Sequence, residues 1–210
     1  MADILTLDLK RKYKFLYNPT PKQVTVIDIP PLHYLMCDGT GNPNTSQAYQ
    51  DAVGALYGLA YTLKFMLKKD SAHPVDYPVM ALEGLWWVED MRDFSVERKD
   101  DWLWTMMIMQ PDVVTPALVE QAREQAILKK GDLPAMHQVR LETFTEGLCA
   151  QIMHIGPYAA EAPTMEKLHG YIHENGYRLS GKHHEVYLSD PRKSAPERMK
   201  TVLRQPIVKP

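Results

Sequence analysis

The stretch "GKHHEVYLSDPRK", residues 181–193, concentrates side chains that could do chemistry. Glu185 stands two residues before Tyr187 in a run with strand-like alternation. A strand sends alternate side chains to opposite faces, so Glu185 and Tyr187 share one side, while His184, Val186 and Leu188 take the other. His183 falls on the Glu185 side, where it could tune the carboxylate. Glu185 has three possible roles: a solvated strand carboxylate, a counter-ion for a bound cation, or a general base. In a cleft among aromatic rings a carboxylate is partly desolvated, which raises its pKa toward the range useful to a base near neutrality.

A second concentration is aromatic. All four tryptophans, Trp86, Trp87, Trp102 and Trp104, sit in "LEGLWW" and "DWLWTMMIMQ". Aromatic walls suit a flat ligand by stacking and a cationic one through the ring quadrupole. Alternation splits each pair across two faces, so Trp87 and Trp104 are the candidate wall residues, against core packing as the bland alternative. Tyr57 and Tyr61 lie beside a buried helical stripe, with Gly54 and Gly58 allowing close approach of another element. Core filling is the first reading of both, and Tyr57 can also present its hydroxyl to a cleft. Tyr158 in "HIGPY" reads as a packing staple.

Other chemistries find weak support. His169 and His173 are four apart on one helix, but "HGYIH" lacks the glutamate of a zinc-protease helix and supplies no third ligand. "GTGNPN" has neither the lysine of a phosphate loop nor the spaced glycines of a dinucleotide fingerprint. No GxSxG elbow is present. The expectation is a site that works without metal or cofactor.

The elements that must position these residues follow from periodicity. "LHYLMCDGTGNPN" reads as a strand over Leu32–Cys37 running into a turn. A long helix follows, with Asn44 as cap and Gln47 completing a capping box. Its buried stripe is Tyr49, Val53, Leu56, Ala60, Leu63 and Leu67. Two strands come next, joined by the charged connection "DMRDFSVERKD". "TPALVEQAREQAILKKG" is a helix with Thr115 as cap, Pro116 at its first position and Gly131 at its end. The order then recurs: a strand in "GLCAQIMHIGPY", a helix in "PTMEKLHGYIHENG", and strands in "YRLSGKHHEVYLSD" and "MKTVLRQPIV". An extra strand is expected at 137–145.

The chain is therefore read as α+β, a tandem pair of β-α-β-β modules at about 22–112 and 137–210, joined by a connecting helix at 113–136. Laying the halves over one another without gaps matches Asp90 with Asp190, Trp87 with Tyr187 and Leu85 with Glu185. Equivalent strands would then line a cleft on a pseudo-twofold axis, with Trp87 on the side of Glu185 and Trp86 turned away.

At 210 residues and a formal charge of −2 the chain can bury a full core and carries no strong basic bias, which argues against a nucleic-acid partner. The basic cluster Lys10, Arg11, Lys12 and Lys14 reads as a solvated surface. No signal peptide opens the sequence and no apolar run is long enough to span a bilayer. Cys37 and Cys149 are far apart and read as reduced thiols, so a cytoplasmic protein without a membrane partner is expected.

Taken together, "LYNP", "VIDIPPLHYLMCDGTGNPN", "LYGLAYTLKF", "LEGLWW", "HIGPY" and "HHEVYLSDPRK" resemble the GyrI-like small-molecule-binding family, over nearly the whole chain. Relatives include the effector-binding domains of AraC-type and multidrug-sensing regulators and a gyrase-inhibitory protein. The resemblance implies tandem modules enclosing a ligand cleft, with a strand glutamate and an aromatic two positions later meeting planar, often cationic ligands. Those positions are Glu185 and Tyr187. Stand-alone members are implicated as hydrolases of cyclopropanoid DNA-alkylating natural products, which would make Glu185 catalytic and Tyr57, Trp87, Trp104 and Tyr187 substrate-binding. The alternative implied is a binder without turnover, a drug sponge or a topoisomerase inhibitor. Too few residues precede the first strand for a helix-turn-helix, so a regulator is not expected.

Overall fold

The structure is a computed structural model and describes residues 3–90 and 98–209, apart from the side chain of Lys130. Most of the charged connection after Asp90 lies outside those residues.

The elements follow in the order β1 (Leu5–Thr6), α1 (Leu9–Lys12), α2 (Lys14–Tyr17), β2 (Thr25–Ile29), β3 (Leu32–Thr40), α3 (Gln47–Lys68), β4 (Val75–Asp76), β5 (Leu82–Trp87) and β6 (Leu103–Gln110). Next come α4 (Pro116–Lys130), β7 (Arg140–Phe144), β8 (Gly147–Ile155), α5 (Ala162–Glu174), β9 (Arg178–Leu179), β10 (His183–Tyr187) and β11 (Lys200–Val208). The fold is α+β, as expected. The chain forms two compact units, neither a continuous stretch. One comprises Met1–Lys12, Leu32–Met80 and Trp87–Phe144, and the other Tyr13–Pro31, Ala81–Trp86 and Thr145–Pro210.

In the first unit β3 is the central strand, paired antiparallel with β6 on one side and β7 on the other. Helix α3 packs against β3, β6 and α4. Its buried positions are Ala52, Ala55, Leu56, Gly58, Leu59, Ala60, Leu63 and Leu67, a stripe at helical spacing whose burial holds the helix on the sheet. The cap is Ser46, whose hydroxyl accepts from the Tyr49 N–H, and not Asn44. Asn44 instead belongs to a turn in which Asn42 accepts its backbone N–H. Gly58 faces Met136 and Leu133, whereas nothing approaches Gly54, so only one of the two glycines serves a close contact. At α4 the Thr115 cap, Pro116 and the left-handed Gly131 (φ +83°) sit where the sequence puts them.

The second unit is an antiparallel sheet in the order β2-β8-β11-β10, with the first five residues of β5 beside β10 and β9 alongside β11. Helix α5 covers one face. Leu168 and Ile172 from the helix join Val24, Ala150, Ile152, Leu203 and Ile207 in an apolar core. Strand β10 is thus interior, with ladders on both sides, and both faces of its residues are built into the unit.

Candidate functional site

Strand β10 carries the site, and its pairing decides which neighbours Glu185 has. His183 lies opposite Trp86, Glu185 opposite Gly84, and Tyr187 opposite Leu82 on β5. Directly opposed residues in a ladder point the same way, so Trp86 shares the side of Glu185 and Tyr187. A hydrogen bond confirms it: Trp86 Nε1 donates to the Tyr187 hydroxyl at 2.9 Å. The expectation that Trp87 shares this side and Trp86 turns away is therefore corrected. The ladder register decides the side, because a shift of one residue moves every side chain to the opposite face. Gly84 is the residue that stands directly across the ladder from Glu185.

The Glu185 side chain is 17% exposed and that of His183 7%, with His183 Nε2 3.3 Å from Glu185 Oε1. Tyr158, expected as a packing staple, is 40% exposed. Its ring meets that of Tyr187 edge-on at 5.7 Å between centroids. One side of β10 thus gathers a half-buried carboxylate, an imidazole, an indole bonded to a phenol, and a second phenol. Trp86 and Tyr158 join this group although the sequence reading assigned them elsewhere; the ladder register, which is not local information, was the missing signal.

The other side of β10 holds a group that no local pattern announces. His184 is fully buried, with Nε2 3.0 Å from Glu83 Oε2 and Nδ1 2.9 Å from Glu146 Oε1. Tyr17 donates its hydroxyl to Glu83 at 2.6 Å. Arg204, also buried, reaches Glu146 at 3.4 Å and donates to Gln151 and to the Leu16 carbonyl. Both imidazole nitrogens face carboxylates, so both must carry protons. Burial alone would oppose the charge on His184. The Glu146 charge and the bonds to Glu146 and Glu83 outweigh it and raise the pKa above the ordinary 6.5. For Glu146 burial again opposes the charge, but His184 and Arg204 hold its pKa below the usual 4.5. Two carboxylates thus balance an imidazolium and a guanidinium, the condition under which buried charges are tolerated. The cluster ties β5, β8, β10, β11 and the segment around α2 together directly behind Glu185.

The remaining expected site residues belong to the first unit. Trp104 is 1% exposed. It lies across the ladder from Gly39 with its ring against that glycine, and meets Tyr49 edge-on at 5.4 Å between centroids. Trp87 is the last residue of β5. Tyr57 is half-buried on α3 and stacks on Tyr61, which stacks in turn on Phe65. Among the described residues no cluster of three His, Cys, Asp or Glu side chains could hold a metal. Both cysteines are buried and free, and no described helix is long and apolar enough to cross a membrane.

The GyrI-like small molecule binding domain family matches residues 22–207, most of the chain. The chain belongs to this family. As a GyrI-like protein it is also similar to solved structures over their full lengths. One, described as an uncharacterized conserved protein from Listeria innocua, is 40% identical, with a TM-score of 0.90, 96% of this chain covered and 100% of that one. Another, described as a hydrolase from Listeria innocua, is 39% identical, with a TM-score of 0.87, 97% of this chain covered and 100% of that one. The C-terminal domain of EcmrR shares the fold at 12% identity, with a TM-score of 0.55, 90% of this chain covered and 98% of that one. No curated protein matches the GyrI-like chain significantly.

Proposed function

We propose that this GyrI-like protein is a cofactor-independent hydrolase of planar, electrophilic small molecules, with Glu185 as general base. The observation that carries the reading is the partly desolvated Glu185 carboxylate, set on the same side of β10 as Trp86 and Tyr187. Support comes from the 39%-identical Listeria innocua protein described as a hydrolase.

In its sharpest form the substrate is a cyclopropane fused to a conjugated dienone, as in cyclopropanoid DNA alkylators. Water attacks the ring CH₂ and Glu185 takes its proton. The strained C–C bond breaks, and its electron pair moves through the dienone onto the carbonyl oxygen, leaving a phenolate that is protonated in turn. The leaving group is already good, so the protein needs only to hold the flat skeleton beside aromatic rings and to activate one water. A positioned base is worth roughly 10²–10⁴-fold. Destroying such a molecule would protect the cell that makes the protein.

The test is an ultraviolet-monitored turnover assay on a cyclopropanoid dienone, with Glu185→Gln run beside the wild type and products identified by mass. The expected result is catalytic gain of one water by the wild type, with kcat lowered roughly 10²–10⁴-fold in the variant while binding persists. Binding without turnover by both proteins would make the site a receptor for planar, preferentially cationic ligands and end the hydrolase reading for this substrate class.

A further inference from the structure

Strand β7 is an open edge of the first unit. It pairs antiparallel with β3 on one side, and no described strand lies along the other. In such a ladder alternate residues turn their N–H and C=O away from the partner strand, so β7 presents backbone groups outward. Natural sheets blunt open edges with proline, with charge or with cover. Strand β2, which pairs only with β8, follows that rule: Pro21 precedes it and Pro30 and Pro31 follow it. Strand β7, "RLETF", contains no proline, and its two charges are of opposite sign.

The spacing of those charges selects a partner. Arg140 and Glu142 share one face of the strand, with Arg140 Nε 2.7 Å from Glu142 Oε2, and their side chains are 41% and 48% exposed. Arg140 also reaches Asp38 on β3 at 2.9 Å. A second β7 added antiparallel about a twofold axis places that axis on one residue of the strand. On Leu141 it sets Arg140 directly opposite the partner's Glu142, and Glu142 opposite the partner's Arg140. On Arg140 or Glu142 it sets like charges opposite one another, which is destabilising. On Thr143 it sets Glu142 against the partner's Phe144. Only the axis on Leu141 makes the edge self-complementary, as a twofold interface requires.

The other face of β7 fits the same register. Between β7 and α4 runs a groove of about 490 Å³, lined in part by Pro116, Ala117, Val119, Val139 and Leu141. Alternation puts Val139 and Leu141 on the strand face opposite Arg140 and Glu142. A second β7 alongside would set its own Leu141 against the first, covering a side chain that the open edge leaves half-buried.

We propose that β7 is a dimerisation edge: two copies of this chain join β7 to β7, antiparallel about Leu141. Reciprocal Arg140–Glu142 pairs form on one face and Leu141 meets Leu141 on the other. Each copy uses up the other's open edge, so assembly along β7 stops at a dimer. Five residues from each copy make a small interface, so association is reversible and on the order of micromolar or weaker.

Sedimentation equilibrium of the full chain, from micromolar to millimolar concentration, should show a monomer–dimer equilibrium. Arg140→Glu and Glu142→Arg each set like charges across the ladder and should weaken self-association by roughly tenfold or more. Mixed in equal amounts, the two variants again oppose unlike charges and should associate as strongly as the wild type. A nitroxide attached to Thr143→Cys gives the register independently of charge. With the axis on Leu141 the two labelled Cα atoms lie about 14 Å apart along the strands, so the spectrum should broaden on dimerisation; Cys37 and Cys149 are buried, which keeps the label at the edge. Four results would each overturn the proposal: a monomer at every concentration, association untouched by either charge reversal, a mixture no stronger than the single variants, or an unbroadened label in the dimer. The label still decides the register where a charge variant does not fold.

Discussion

Replacing His184 by leucine removes the one imidazolium from the cluster behind the site, leaving Glu146 beside Arg204 and Glu83 with no cation recorded beside it among the described residues. Two buried carboxylates then oppose one guanidinium, and Glu83 keeps only the Tyr17 hydroxyl among its recorded bonds. Breaking a buried ion pair by removing one partner costs about 3–5 kcal/mol, a fifth or more of a typical stability of roughly 5–15 kcal/mol. Urea unfolding at pH 6 should report that loss as a lower midpoint at unchanged m-value.

The wild type adds a signature in pH. The folded-state pKa of His184 lies above 6.5. Between those values the native state holds a proton that the unfolded chain has released, so the unfolded state binds one proton fewer. Stability is fully present below pH 6.5 and falls by about 1.4 kcal/mol per pH unit as pH rises toward the folded pKa. Glu146 acts with the opposite sign: its folded pKa lies below 4.5, so its contribution is present above pH 4.5 and is lost as pH falls through the lowered value. The wild type should therefore be most stable between these limits. His184→Gln, which cannot take a charge, should lose the alkaline slope. A loss under about 1 kcal/mol in His184→Leu, or the same alkaline slope in wild type and His184→Gln, would refute the assignment of His184 as a charged buried pin.

Two further predictions concern packing and the aromatic group. A Cβ at Gly39 would lie 2.1 to 2.7 Å from three ring carbons of Trp104, so Gly39→Ala should cost about 1–3 kcal/mol. Adding Trp104→Leu should restore part of that loss in a double-mutant cycle followed by thermal unfolding. Tyr187→Phe removes the acceptor of the Trp86 indole and should cost about 0.5–1.5 kcal/mol, with a shift in tryptophan emission and weaker binding of a planar cationic dye; unchanged emission would mean that the bond is not formed in solution.

How much of this was legible beforehand differs by element. Helix α4 begins and ends at residues whose local chemistry dictates it, Thr115, Pro116 and Gly131, and the structure agrees at both ends. Helix α3 shows the limit of the same reasoning: two polar residues, Asn44 and Ser46, compete for one cap, and the turn in which Asn42 accepts from Asn44 hands it to Ser46. At the site, alternation alone put Glu185, Tyr187 and His183 on one side of a strand. It could not say which strand lies alongside or in which register, and so it chose Trp87 where the ladder selects Trp86.

The sequence by itself determined what depends on neighbours a few residues away: the α+β character, both ends of α4 and the shared face of Glu185 and Tyr187. The family resemblance added Glu185 as the carboxylate of interest. Only the tertiary structure decided the charged state of His184, because its partners, Glu83, Glu146 and Arg204, come from three distant segments and no spacing links them. It alone turned Tyr158 to Tyr187 and laid Trp104 against Gly39. The physical reason is common to all three. Strand pairing and burial are set by contacts far apart in the chain, whereas alternation and capping are satisfied within one or two turns of backbone.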